Sequence, residues 1–210
     1  MPPPLHREEA GYDPQFPYGY GLSYAHPGTV ATLSEAGQAH SAPPNVERYF
    51  ENGRTGHSWT LAAQGAATLT TIDAGAQENA RLARWRGNAP GTIAISGEPV
   101  DLQRQTTGDM TLGLQYQVQA PPSAPVHLTL QCGKDCSAAL DATPTFAAAP
   151  ADQWRSLNVR LSCFATAGAR MEHVSAPFGL ATSGSFAIAF RRVALEPHTA
   201  SAVCLPRPKA

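Results

Sequence analysis

The sequence predicts an all-β fold, a jelly-roll-like antiparallel β-sandwich carrying an irregular N-terminal arm, and three features point to it. Met110, Leu112, Leu114, Tyr116 and Val118 alternate with Thr111, Gly113, Gln115 and Gln117. An apolar/polar period of two means a strand with one face buried and one wet. The same alternation returns in residues 126–132, 157–163 and 186–190. Between these segments stand proline and glycine, which interrupt regular structure and turn the chain back. Strands of this kind bury their inner faces by packing as two sheets.

Residues 1–44 read as an arm and linker, because Pro2, Pro3, Pro4, Pro14, Pro17, Pro27, Pro43 and Pro44 leave no room for a long regular element. Within the arm, Phe16, Tyr18, Tyr20 and Tyr24 carry too much ring surface to stay in water. They are expected to pack on a surface that the arm does not itself supply. The sandwich is assigned to residues 45–210. Residues 45–50 fit either a strand or a helical turn. Residues 57–64 alternate around Trp59, Leu61 and Ala63 and form the first clear strand. Residues 67–72 form a second, ended by a turn at 73–76. Residues 77–86 have helical propensity, but their neighbours are strands. A strand over 81–86 is therefore expected, with Ala83 and Trp85 on one face and Arg84 and Arg86 on the other.

Ile93 and Ile95 share a face of a strand at 91–96, and residues 100–105 lead through a turn at 107–109 into the central strand. Pro121, Pro122 and Pro125 stop that strand, and residues 126–132 are expected to return as its partner. A further strand over 157–163 follows Trp154. In the last strand Phe186, Ile188 and Phe190 face one way, while Val193 and Leu195 continue on the opposite parity. The slip at Arg191 and Arg192 predicts a β-bulge.

Residues 16–24, Phe-Pro-Tyr-Gly-Tyr-Gly-Leu-Ser-Tyr, together with Tyr12-Asp13-Pro14-Gln15, resemble the aromatic signature near the end of the α/β-sandwich domain of family 3 glycoside hydrolases. Further on, residues 136–141, Trp154-Arg155-Ser156-Leu157, residues 161–169 and Pro177-Phe178-Gly179-Leu180 with Thr182-Ser183-Gly184 are similar to a second module. That module is the galactose-binding-like β-sandwich appended to bacterial exo-1,3/1,4-β-glucanases of the same family. Residues 77–80, Gln-Glu-Asn-Ala, resemble its Gln-Glu-Asp-Ala segment, with Asn79 in place of the acid. The resemblance implies the C-terminal end of a larger enzyme, with the catalytic domains upstream as partners and Met1 as an added start.

Four cysteines stand at 132, 136, 163 and 204. A zinc site wants two tight pairs, or cysteines with closely spaced histidines, and only Cys132 and Cys136 are close. They read as a short disulfide loop. Cys163 is either a buried thiol or the partner of Cys204. A disulfide implies an oxidising compartment, so a periplasmic or secreted protein is expected.

With a net charge of −1 and 15% charged residues, the chain offers no electrostatic footprint for nucleic acid. It contains no apolar run of membrane-spanning length. Glycoside hydrolysis with retention needs two carboxyl groups roughly 5–5.5 Å apart. The resemblance places these in the upstream domains, so no catalytic residue is assigned here, and Glu8 and Glu9 read as a solvated pair. A G-x-S-x-G elbow, an H-E-x-x-H helix and phosphate-binding glycine loops are missing from the sequence, and the seven histidines are scattered. No cofactor or metal is expected.

Sugar binding needs flat aromatic faces beside amides or guanidinium groups, because a pyranose offers an apolar C–H face and a rim of hydroxyls. Trp59, Gln77, Asn79, Arg84, Trp85 and Arg104 are the carbohydrate-binding or interface candidates, with Trp85 preferred and Trp154 read as mainly structural. The expected function is that of a non-catalytic accessory module that rests on the catalytic domains and helps position a β-glucan or oligosaccharide. An autonomous carbohydrate-binding module and a purely structural domain are the alternatives.

Overall fold

The computed structural model describes residues 48–208 apart from 57, 76 and 77. The aromatic arm with Phe16, Tyr18, Tyr20 and Tyr24, and the candidate Gln77, lie outside the described residues. Among the described residues the strands are β1 (Arg48–Glu51), β2 (Arg54–Thr55), β3 (Trp59–Gly65), β4 (Ala67–Gly75), β5 (Glu78–Arg86), β6 (Gly91–Gly97), β7 (Thr111–Ala120), β8 (Val126–Gln131), β9 (Ser137–Asp141), β10 (Trp154–Arg160), β11 (Ala176–Thr182) and β12 (Ser185–Glu196). Among the same residues three short α-helices, α1 (Gln103–Thr107), α2 (Thr143–Ala147) and α3 (Leu161–Thr166), and a 3-10 turn at Met171–His173 sit in the connections.

The strands form two antiparallel sheets, as the alternation requires. One runs β3-β6-β11-β8-β9. The other runs β10-β7-β12-β1-β2, with the β4–β5 hairpin also joined to β12. Along one side β12 pairs with β7, from Ala187 opposite Ala120 to Glu196 opposite Thr111. Its other side is shared: β5 takes Ser185 to Phe190, and β1 takes Arg192 to Ala194. The expected bulge falls between Phe190 and Arg192, at the point where β12 changes neighbour. An extra residue there restores inward parity for Val193 and Leu195, which are buried with Phe190.

Four expectations are corrected. Residues 126–131 do not pair with the central strand: β8 crosses to the other sheet, between β11 and β9, while β7 lies between β12 and β10. The proline-rich connection is long enough to change sheets, which is how a sandwich covers both faces of one core. The alternation through Leu161 and Cys163 ends at Arg160, because Leu161, Phe164 and Ala165 are spaced for a helix face and form α3. No turn begins at Asp73, since β4 runs to Gly75 with a register shift between Asp73 and Gly75. Lastly, the polar face of β7 is not uniformly wet. Thr111 and Gly113 are buried, and Gln115 and Gln117 are half-buried, because the strand is flanked on both sides. A Cβ on Gly113 would come within 2.9 Å of the Glu196 side chain and 3.2 Å of that of Asn158. The segment at 45–50, left open between strand and helical turn, is the strand β1 from Arg48.

Rings stitch the core together. Trp85 stacks on Phe186 at 5.6 Å, Phe186 meets Phe146 at 5.5 Å, and Phe146 meets Tyr116 edge-on at 5.1 Å. A second set, Phe50–Phe190–Phe178, joins β1 and β12 to β11 across the two sheets. Burial pushes the Tyr116 phenol above its ordinary pKa near 10, and outweighs the opposing effect of the Arg155 charge. A raised folded-state pKa leaves Tyr116's contribution intact below the unfolded value and removes it as pH climbs beyond it. Alkaline unfolding is therefore expected to set in above about pH 10, and Tyr116→Phe should move its onset upward in a pH series followed by near-UV circular dichroism.

Both cysteine pairs are disulfides. Cys132–Cys136 closes the loop after β8 as expected, with Cα atoms 4.9 Å apart. Cys163–Cys204 resolves the open alternative, at 5.6 Å, and fastens the C-terminal tail to α3. The tail continues this attachment with a parallel bridge between Val159 and Val203 and an Asp141 N–H donated to the Pro206 carbonyl at 2.7 Å.

Candidate functional site

Strand alternation sorts the side chains of the larger sheet between core and outer surface. On β5, Ala83 and Trp85 point inward, leaving Leu82, Arg84 and Arg86 outside, as the sequence predicted for all of these but Leu82, which it left unassigned. On β12 the outward residues are Ala187 and Ala189, and on β7 they are Gln115, Gln117 and Gln119. Trp154 lies opposite Gln117 and therefore also faces out, at the start of β10. The middle of this surface is a low apolar floor of Leu82, Ala187 and Ala189, against which Ile72 and Trp154 pack.

Polar groups rise along the edges of the floor. Arg84 Nη2–H donates to Gln119 Oε1 at 3.4 Å, and Arg191 Nε–H donates to Gln115 Oε1 at 3.1 Å. The Arg191 guanidinium carbon also lies 4.8 Å from the centroid of the Trp154 ring, a cation–π distance. Thr68, Thr70, Arg84, Arg86, Gln119 and Asp152 border a groove of about 780 Å³ that runs across the sheet. Small residues at the centre let a flat ligand approach the sheet, while amides and guanidinium groups at the edge supply directional hydrogen bonds.

The structure brings together only part of the expected constellation. Arg84 is exposed in the groove. Trp85, the preferred aromatic, is 3% exposed and belongs to the core under the groove, so its ring offers no open face. Trp59 is likewise buried, at 5%, edge-on to Tyr49. Both are large rings on inward positions, where burial of their area outweighs any surface role. Asn79 is exposed at the beginning of β5, against the turn at Gly53. Arg104 is exposed on α1, apart from the groove lining. Beside the groove stand Trp154, which the sequence read as mainly structural and which packs on the floor, and Arg191 and the glutamine row of β7, which it did not single out. The row was legible as Gln115, Gln117 and Gln119 at steps of two, the wet face of the very strand that predicted the fold.

Two antiparallel sheets packed on one aromatic core, with an open polar groove across one sheet, define a galactose-binding-like β-sandwich. The chain belongs to the Exop_C family, described as galactose-binding domain-like, whose model matches residues 48–195. Among solved structures it is similar to the exo-1,3/1,4-β-glucanase from a Pseudoalteromonas species, at 16% identity and a TM-score of 0.60, covering 78% of this chain and 22% of that one. The extra C-terminal domain of the same glucanase matches at 18% identity and a TM-score of 0.56, over 78% of this chain and 99% of the domain. A family 11 carbohydrate-binding module of a Clostridium thermocellum cellulosomal cellulase matches at 9% identity and a TM-score of 0.50, over 72% of this chain and 95% of the module. At these identities the likenesses establish the fold. Comparison with curated proteins finds no match.

Proposed function

We propose that this chain is the accessory module of an exo-acting β-glucan hydrolase of glycoside hydrolase family 3, and that it holds a β-glucan or oligosaccharide along the groove of its larger sheet. The observation that carries the reading is one outward face on which the groove bordered by Thr68, Thr70, Arg84 and Gln119 lies beside Trp154, Arg191 and Gln115, which flank it without lining it. There a sugar's C–H surface can lie on the apolar floor and against half-exposed Trp154, whose ring already carries Arg191, while its hydroxyls meet guanidinium and amide groups. Membership of the Exop_C family and likeness to the glucanase C-terminal domain support the setting. In that setting catalysis belongs to upstream domains, and this module rests against them and helps position substrate. The two disulfides support a periplasmic or secreted location.

Isothermal titration of the full chain with laminari-, cello- and mixed-linked β-1,3/1,4-oligosaccharides tests the reading. Binding is expected, and Trp154→Ala should weaken it by about tenfold, the loss of one ring contact worth on the order of 1–2 kcal/mol. The half-exposed position of Trp154 lets the variant fold, which circular dichroism would verify. Silence toward every glucan would overturn the proposal in favour of a purely structural domain.

A further inference from the structure

The change of neighbour along β12 opens a second cavity, distinct from the groove. Once β5 leaves β12 at Phe190 and β1 takes its place, the β4–β5 hairpin and the β1–β2 hairpin diverge. The gap between them is capped by β3 from the other sheet. It forms a cleft of about 460 Å³ lined by Phe50, Arg54, Thr55, Trp59, Leu69 and Arg81, among others.

The chemistry of this cleft is one-sided. Arg81 stands on the inward parity of β5 and donates through Nη1–H to Thr71 Oγ1 across the hairpin. Arg54 projects from the two-residue strand β2. Neither guanidinium has a carboxylate partner among the described residues, whereas Arg48 and Arg192 nearby pair with Glu51. No acidic side chain is among the described residues lining the cleft. Trp59, 5% exposed, carries an indole N–H with no acceptor among the described residues, although a buried donor normally finds one. At the rim, the turn at Gly53 sits so close to Asn79 that a Cβ on the glycine would fall 2.6 Å from the Asn79 Cβ. Asn79 thus brings a neutral side chain against the turn that leads into Arg54.

We propose that this fork cleft is a second saccharide site, selective for an anionic unit, a uronate or a sulfate ester. Two guanidinium groups with no carboxylate partner among the described residues receive the acid, the hydroxyls of Thr55 and Thr60 reach the sugar hydroxyls, and the half-buried Leu61 and Leu69 meet the ring's C–H face. A neutral glucan offers the two guanidinium groups no counter-charge and is expected to go to the groove. Because the cleft shares no lining residue with the groove, this site stands or falls separately from the proposed function.

The test is titration of the full chain, followed by NMR shifts and calorimetry, with four probes: an oligosaccharide ending in glucuronate, a sulfated galactan oligosaccharide, their neutral counterparts and inorganic sulfate. At least one anionic oligosaccharide is expected to bind, with affinity falling as salt rises. Arg81→Gln and Arg54→Gln should each weaken it by about tenfold, as for the loss of a charge-assisted hydrogen bond, without altering glucan binding to the groove. Asn79→Asp should also weaken it, by placing a carboxylate at the rim. Should Arg81→Gln disturb the hairpin, Arg54→Gln on the exposed turn keeps the test sharp. The proposal is overturned if neither anionic oligosaccharide binds, if the neutral counterparts bind equally well, if inorganic sulfate alone binds as tightly, or if the arginine variants leave affinity unchanged.

Discussion

Phe186→Ala is expected to cost about 3–5 kcal/mol of folding stability, the range for truncating a fully buried aromatic ring. Phe186 is 2% exposed, stacks on Trp85 from β5 and touches Phe146 from α2, which in turn meets Tyr116 of β7. Its removal therefore empties a space walled by a neighbouring strand and a connecting helix. Aromatic walls on two sides collapse poorly into such a space, which places the effect toward the upper end of the range. Urea denaturation, read as a shift in midpoint at constant m-value, measures it. Phe186→Leu should recover most of the loss by refilling the volume. A loss below about 1 kcal/mol for the alanine variant would contradict the ring chain as the centre of the core.

Removing the Cys163–Cys204 bridge, as a double Cys→Ser variant, should destabilise the module by about 4 kcal/mol, from the loop-closure entropy released in the unfolded chain. The pair spans 41 residues and the Cys132–Cys136 pair spans 4. The same entropy relation gives the shorter bridge only about 2 kcal/mol. The long bridge also holds the tail in place, where Val203 N–H donates to the Asn158 carbonyl at 2.9 Å and Arg160 N–H to the Val203 carbonyl at 3.1 Å. Its loss should accordingly release the tail as well, visible as faster hydrogen exchange at Arg160 and Val203. Equal destabilisation by the two double variants would refute the entropic ordering.

The strand content of this chain was readable because burial on one face writes a period of two into the sequence. Residues 110–118, 91–96 and 186–195 show it plainly, and even the bulge at Arg191 and Arg192 announced itself as a change of parity. What failed was reading where each strand goes. Residues 126–131 have the pattern of a partner for β7, yet pattern carries no address, and the strand belongs to the other sheet. Residues 161–163 kept the alternation by coincidence while their neighbours Phe164 and Ala165 had already changed to helical spacing.

For the candidate site the division is sharper. Composition and residue type point to aromatics, amides and guanidinium groups as the means of holding a sugar, and Arg84 was selected on that basis. The preferred tryptophan, Trp85, is buried, whereas Trp154 stays half-exposed on the outer surface. Trp85 and Trp154 both stand in strands beside arginines, and only the direction of the core relative to each strand separates them. The alternation along a single strand says that two faces differ, and the apolar one goes inward. Whether the outward face becomes a groove depends on which strands lie beside it and how their side chains line up in register. That arrangement arises from pairings between residues far apart in the chain, such as Ala189 with Leu82 on one side and Gln117 on the other. Local sequence thus determined strands, inward faces and the bulge, while long-range pairing alone decided the groove, the fork cleft and the fate of each tryptophan.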